Sequence, residues 1–466
     1  MAGITSYGLH FAAYRLPLSK IAAAWEGKAG KGEKAVASYD EDALTLACAA
    51  AQDVVGEHDP SKFGGLFFAS TTSPYLEKSV SSFISHVHRL PKGAVTADFT
   101  NSRRCASSAF RAALDAVQAG SADNVIVAAG EARTAEPGSG LEQVMGDGGA
   151  ALCVGKQGAI AEILASHAVT EEAYDEFRRA GEDFVNEGDQ RFAQSYNFTP
   201  SVVAAVKGVL AKGNLKPEQI DLIAIAADNA KAAQGACQKA GLDPAKLVSA
   251  YLPEVGYLGA AQSLATLALA LEKAGPGKKI LWVSYGDGAD AFIFQTTEAI
   301  KSLGGSRVEA AIADKRPMNT YEKYLKLRGV FKIETPGPEE TPVLHWNERE
   351  WNLPLLSDRC EKCGLVYYPP QAVCLKCGDR SAKKRIPTPR RGKIFTFTKD
   401  FLVANPDPPQ VTTVVTADNG ARVFLQGADF EDSDVTIDAP VEFQIRKLHD
   451  GGEYPIYYWK CRPVRK

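Results

Sequence analysis

The chain has 466 residues, 45% of them hydrophobic and 23% charged, with a formal net charge of -3. That is the make-up of a globular protein with sizeable cores and more than one domain, and the near-neutral charge argues against a surface built to coat nucleic acid or membrane. No apolar run is long enough to span a bilayer, and "MAGITSYGLHFAAYRL" lacks a basic head followed by an apolar core, so the expectation is a cytoplasmic protein without a leader.

Up to about residue 300, buried-strand runs alternate with helical patterns, which predicts a layered α/β fold. "YDEDALTLACAAAQDVVGE" (39–57) reads as a helix with an acidic first turn, and "FGGLFFAST" (63–71) as a buried strand. After the helix in "SVSSFISHVHRL" comes "DFTNSRRCASSAFRAALDAVQAG" (98–120), an extended entry followed by an amphipathic helix that opens on Cys105. "ADNVIVAAGEA" (122–132) and "DGGAALCVG" (147–155) are further strands. The logic then repeats: a helix in "TPSVVAAVKGVLAKG", the strand "LIAIAAD" (222–228), the helix "AAQSLATLALALEKAG", and a strand–glycine turn–strand in "KKILWVSYGDGADAFIFQ". Two similar α/β halves are expected, at 1–165 and 166–300, followed by a helical arm and Pro-rich linker over 301–355 that includes "ETPGPEETPV".

The C-terminal part is β-patterned. "CEKCGLVYYPPQAVCLKC" has the spacing Cys-x2-Cys-x10-Cys-x2-Cys. Each pair turns two thiolates toward one ion, so Cys360, Cys363, Cys374 and Cys377 are expected to bind a single zinc, with Gly364 and Gly378 forming the knuckles. Four protein ligands leave no open position, which makes the site structural. A zinc ribbon at 356–386 is followed at 387–466 by about five short strands with a "DNGARV" hairpin turn, a small barrel most simply of the OB type. The basic runs "KKR" (383–385) and "RRGK" (390–393) read as a solvated linker, as a nucleic-acid contact, or as a mouth for the phosphates of coenzyme A. Tyr367 and Tyr368 read as ribbon packing.

Cys105 is the candidate nucleophile. A helix N-terminus and the cations of Arg103 and Arg104 both favour thiolate, whereas Cys48, Cys153 and Cys237 read as buried structural thiols. "SYGDGADAF" lacks the glycine spacing of a nucleotide loop.

Taken in order, "YDEDALTLACAAA", "STTSPYLEKS", the Cys105 helix, "GEARTAEPGSGLEQVMGDGGAALCVG", "DLIAIAADNAK", "VGYLGAAQSLATLALAL" and "SYGDGADAFIF" resemble the thiolase superfamily, most closely 3-hydroxy-3-methylglutaryl-CoA synthase-like proteins. Residues 345–466 resemble the zinc-ribbon/OB module that accompanies such enzymes, which favours coenzyme A over nucleic acid. The resemblance implies an acyltransferase that forms an acyl-Cys105 thioester from an acyl-CoA, with backbone N–H groups of Cys105 and Gly286 holding the oxyanion. It also implies a homodimer.

The chain departs from the family pattern at the acid–base groups. Thr71 or Thr72 stands where the synthases carry Glu; Ala226, Ala227 or Asp228 stands where they carry His; and Tyr257 stands where Asn is common. No histidine lies between His167 and His345. Three explanations stay open. Asp228 and Tyr257 carry the protons, which suits a different thioester or retro-Claisen or retro-aldol cleavage of a longer acyl-CoA; His86 or His88 reaches the site; or the chain is a noncatalytic CoA-binding scaffold for a thiolase partner. Tyr257 also reads as packing beside glycine-rich backbone, and Asp228 as a cap for the next helix.

Overall fold

A computed structural model describes residues 2–56, 58–333, 341–450 and 454–464; residues 334–340 of the expected Pro-rich linker lie outside the described residues. The chain divides into two compact units. Unit 1 comprises 1–37, 42–85 and 90–324, and unit 2 comprises 38–41, 86–89 and 325–466.

Unit 1 is organised by one sheet, nine-stranded among the described residues. In chain order its strands are β1 (Gly3–Phe11), β2 (Gly65–Ser70), β3 (Val95–Thr100), β4 (Asn124–Glu131), β5 (Gly148–Gly155), β6 (Ala161–Thr170), β7 (Leu222–Ile225), β8 (Lys279–Tyr285) and β9 (Gly288–Thr296). The order across the sheet is β7-β8-β9-β6-β1-β5-β4-β2-β3. The two halves meet where β1 pairs with β6 at Gly3↔Glu162 and Ile4↔Ala161. Outward from that seam they repeat one another: β5 and β9 run antiparallel to their inner and outer neighbours, and the next pairs, β4 with β2 and β8 with β7, are parallel. Every residue of β2 and β5 is buried, which is why these strands read as unbroken apolar runs rather than alternating ones.

Helix α1 (Ala43–Val55) starts later than the acidic run suggests, because Asp42 caps it by accepting from the Thr45 N–H at 3.0 Å. Helices α2 (Cys105–Ala119) and α3 (Gly259–Lys273) pack on each other and on the strands of the sheet, and nearly every residue of α3 is buried. Phe110 fixes α2: its ring meets Trp282, Phe292 and Phe294 edge-on at centroid distances of 5.3, 5.3 and 5.7 Å. Cys105 therefore opens a helix held between elements of both halves.

Unit 2 holds a three-stranded ribbon of Leu356–Cys360, Val366–Tyr367 and Lys383–Pro387, then a closed barrel of five strands: Arg391–Asp400, Gln410–Ala417, Arg422–Gly427, Pro440–Asp450 and Pro455–Pro463. Around the barrel the order is first, second, third, fifth, fourth, which is the connectivity of an OB barrel. Gln410–Ala417 alternates strictly between buried and half-buried positions, as a barrel wall requires. The DNG turn closes its hairpin through Ala417 N–H to Ala421 O at 2.8 Å. Among the described residues no helix is long and apolar enough to cross a membrane.

Candidate functional site

Cys105 is only 3% exposed, and its backbone N–H already donates to Ser102 O at 2.9 Å. The two arginines expected to favour thiolate do not face it. Arg103 Nη1 donates to Glu176 at 2.7 Å, and Arg104 Nη1 donates to Val169 O at 2.9 Å with Asp290 3.9 Å away. Burial pushes the Cys105 thiol well above its ordinary range, and the nearby charge of Glu131 pushes the same way. The expected activation is thus corrected: in this conformation Cys105 is a protonated, enclosed thiol.

Glu131, at the end of β4, is a site residue that the sequence reading missed. It is fully buried and accepts from Ser70 Oγ (3.0 Å), Thr71 N (3.0 Å), Thr72 Oγ1 (2.7 Å) and Ala260 N (2.9 Å). Thr71 and Thr72, one of which was expected to replace the synthases' Glu, both donate to this carboxylate, Thr71 through its backbone N–H and Thr72 through its hydroxyl. Gly259 makes the α3 contact feasible: its φ is +52°, and a Cβ there would lie 2.7 Å from the Glu131 side chain and 2.8 Å from Arg133 Cδ. The available signal was a carboxylate ending an apolar strand, since a buried charge requires donors.

A cavity of about 690 Å³ brings Asp228, Tyr257 and Arg103 together with Asp175, Glu176 and Tyr285; Cys105 is not among its lining residues. Asp228 follows β7. The cap expected of it falls instead to Asn229, which accepts from Lys231 N (2.9 Å) and Ala232 N (3.3 Å), and this leaves the Asp228 carboxyl among the cavity residues. Burial raises the Asp228 carboxyl; Arg103 opposes that shift and Glu176 adds to it. Tyr257 is anchored by its backbone, with N–H to Val144 O at 2.8 Å and its carbonyl accepting from Gly146 N at 3.0 Å. Burial pushes its phenol up to about 12, so it stays protonated.

The segment after β6 supplies two acids to this cavity. Glu176 lies between Arg103 (2.7 Å) and Arg133 (2.5 Å), and Asp175 accepts from Tyr285 Oη and from Asn197 Nδ2. Burial alone would raise the Glu176 carboxyl, but the two arginines outweigh it and hold it at about 2.

The oxyanion pair expected at Cys105 and Gly286 is not presented, because Gly286 N–H donates to Gly288 O at 3.0 Å. Gly286 serves instead as a close-packing point: a Cβ would lie 2.8 Å from Arg104 N and from Ser102 Oγ, in the turn that leads into Cys105. His86 and His88 are engaged within unit 2, the first at 2.8 Å from Arg349 O and the second at 3.0 Å from Arg390, which argues against the acid–base role considered for them.

In the ribbon, Cys360, Cys363, Cys374 and Cys377 place their sulfurs within 4.8 Å of one another. The Cys360–Cys377 and Cys363–Cys374 separations of 3.7 and 3.6 Å suit thiolates around one tetrahedral zinc with bonds of about 2.3 Å. Gly364 and Gly378 have φ of +76° and +70° and donate to the carbonyls of Cys360 and Cys374, forming the two knuckles. The basic runs are partly engaged inside unit 2. Lys383 Nζ reaches Gln371 O and Ala372 O at 2.8 and 2.7 Å, Arg385 pairs with Asp358 at 2.7 Å, and Arg390 lies over the Trp459 ring. Tyr368 packs edge-on against Trp351.

Residues 210–294 match the family model described as the C-terminal part of 3-oxoacyl-[acyl-carrier-protein] synthase III, and residues 355–381 match the rubredoxin-like zinc ribbon of ChsH2. The chain is 29% identical over 346 residues to a hydroxymethylglutaryl-CoA synthase of Pyrobaculum calidifontis, covering 71% of this chain and 98% of that protein. It is 28% identical to the synthase of Methanopyrus kandleri, over 71% and 98%. Among solved structures it is similar to MvaS in complex with 3-hydroxy-3-methylglutaryl coenzyme A (TM-score 0.63, 20% identity, 72% of this chain, 95% of that one). A 3-oxoacyl-[acyl-carrier-protein] synthase III from Aquifex aeolicus also matches (TM-score 0.57, 18% identity, 63% and 100%).

Proposed function

Starting from a chain that is hydroxymethylglutaryl-CoA synthase-like over a thiolase-type fold and carries a ChsH2-type zinc ribbon, we propose that it is an acyltransferase working on CoA thioesters through Cys105. The Cys105 sulfur attacks the thioester carbonyl, the carbon–sulfur bond to CoA breaks, and CoA leaves as the thiol with the proton from Cys105. Asp228 then takes a proton alpha to the acyl-Cys105 carbonyl. The carbanion adds to a ketone carbonyl of a second acyl-CoA, and Tyr257 donates to the new alkoxide. Water finally hydrolyses the thioester to Cys105. A homodimer is part of this reading.

One observation carries it: a carboxylate raised by burial and a tyrosine that stays protonated share one cavity with Arg103, two residues before the nucleophile. Burial raises the Asp228 carboxyl's basicity, as a proton acceptor needs, and the Tyr257 phenol keeps its proton, as a donor needs. A second reading, a noncatalytic CoA-binding subunit, is favoured by the enclosed thiol and by the engaged N–H groups of Cys105 and Gly286.

Intact-mass measurement after incubation with a panel of acyl-CoAs separates the two. An acyl-sized increase in the wild type, absent in Cys105→Ala, is the expected result. Binding of a non-hydrolysable analogue with no adduct from any acyl-CoA would leave the noncatalytic reading in place.

A further inference from the structure

We propose that Tyr367 belongs to the outer shell of the ribbon's metal site, its phenol O–H donating a hydrogen bond to a zinc-bound thiolate of Cys360 or Cys374. The inference concerns the ribbon alone and stands independently of the acyl-transfer reading.

Tyr367 is 4% exposed, and its Oη is buried with no hydrogen-bond partner. A buried phenol ordinarily finds an acceptor, because an unmet donor keeps the cost of leaving water. The strand Val366–Tyr367 pairs antiparallel with Leu356–Cys360, and the register sets Tyr367 opposite Asp358. Cross-strand partners share a face of the sheet, as do residues two apart on one strand, so Tyr367, Asp358 and Cys360 all lie on one face. The carboxylate on that face is engaged elsewhere: Asp358 accepts from Arg385 Nε at 2.7 Å. Tyr367 packs in one buried cluster with Cys360 and Cys374, and Cys363 and Leu365 pack against it. Sulfur is the acceptor that these surroundings offer.

The chemistry of a four-cysteine site explains the placement. A thiol is a weak acceptor, but zinc holds cysteine as thiolate, whose sulfur carries charge and accepts well. Four thiolates leave an excess of negative charge on the site, and Cys360 and Cys374 are enclosed, at 0% and 2% exposure. A hydrogen bond from a neighbouring side chain offsets part of that charge and fixes the ligand's orientation. Phenylalanine would fill the same space as Tyr367 without the donor, so packing alone does not call for the hydroxyl.

The test uses the full chain, loaded with zinc for one measurement and with cobalt(II) for the other. Tyr367→Phe is expected to release zinc to a chromogenic chelator about tenfold faster than the wild type. In the cobalt protein the sulfur-to-metal charge-transfer band is expected to move to longer wavelength, because a thiolate that loses a donor holds its electrons less tightly. Leu365→Ala, which thins the packing and keeps the hydroxyl, serves as the control and should leave the band in place. Unchanged zinc release in Tyr367→Phe, faster release with an unmoved band, or an equal band shift in Leu365→Ala would each overturn the assignment. If Tyr367→Phe does not fold, the wild type decides. Loaded with NMR-active cadmium, it should show a phenol proton coupled to the metal through sulfur, and a spectrum without that coupling would overturn the proposal.

Discussion

Arg103 donates to Glu176 at 2.7 Å, so the cation two residues before Cys105 neutralises a carboxylate and not the thiol. The charge that acts on the thiol is Glu131, and together with burial it favours the protonated form. A nucleophile in this state loses its proton as the new bond forms, whereas a pre-formed thiolate would carry none.

Below the pKa of a thiol, its thiolate fraction rises tenfold per pH unit. Alkylation of Cys105 by iodoacetamide is therefore expected to accelerate about tenfold per unit from pH 7 to pH 9, without levelling off. Peptide mapping with Cys105→Ala as blank reads the rate. A plateau below pH 8 would mean that a cation does reach the sulfur.

The Glu176 carboxyl lies at about 2 in the fold against an ordinary 4.5, because Arg103 and Arg133 outweigh its burial. A depressed carboxyl stabilises the fold above its unfolded value and loses that contribution as pH falls toward the folded one. Glu176→Gln is expected to cost about 3 kcal/mol at pH 7, and the gap to the wild type should narrow by roughly 1 kcal/mol at pH 4. Urea denaturation at both pH values checks this; a gap independent of pH would count against the double ion pair.

If Asp228 and Tyr257 move protons in the carbon–carbon step, Asp228→Asn and Tyr257→Phe should each lower turnover by about 10²–10⁴ and leave the first acylation of Cys105 nearly intact. Rapid-quench measurement of the acyl-enzyme alongside steady-state turnover separates the two steps. Parallel loss of both would make these residues part of the cavity wall and not proton carriers.

One zinc per chain is expected by elemental analysis, and its site contributes on the order of 10 kcal/mol to ribbon folding. Chelation, or Cys363→Ser, should therefore strip amide protection from the ribbon strands at 356–360 and 383–387 while β4 and β5 keep theirs. Hydrogen exchange read by mass spectrometry gives the answer, and a ribbon that stays protected without metal would contradict the structural role.

The parts legible in the sequence are those set by neighbours along the chain. Apolar runs at 124–131 and 148–155 announced buried strands, two Cys-x2-Cys knuckles announced a metal, and "DNG" announced a hairpin, since each signal is complete within a few residues. Asp228 lines the cavity, and the helix cap is Asn229, one residue on, because a single register step decides which side chain faces the helix and which the cavity.

Arg103 and Arg104 show why proximity in sequence misled. Their distance from Cys105 along the chain is fixed, but the direction of a long side chain is set by the carboxylates available in space, and Glu176 and Asp290 come from remote segments. Glu131 likewise draws its donors from residues 70–72 and from Ala260, which the sheet order and the α2–α3 packing bring together. The sequence by itself determined the fold class and the four-cysteine metal site, through local periodicity and spacing, and offered Cys105 as a candidate nucleophile. Only the tertiary structure decided the charge that Cys105 faces, the cavity that Asp228 and Tyr257 share with Arg103 and the carboxylate between two arginines, because electrostatics acts across space and ignores chain order.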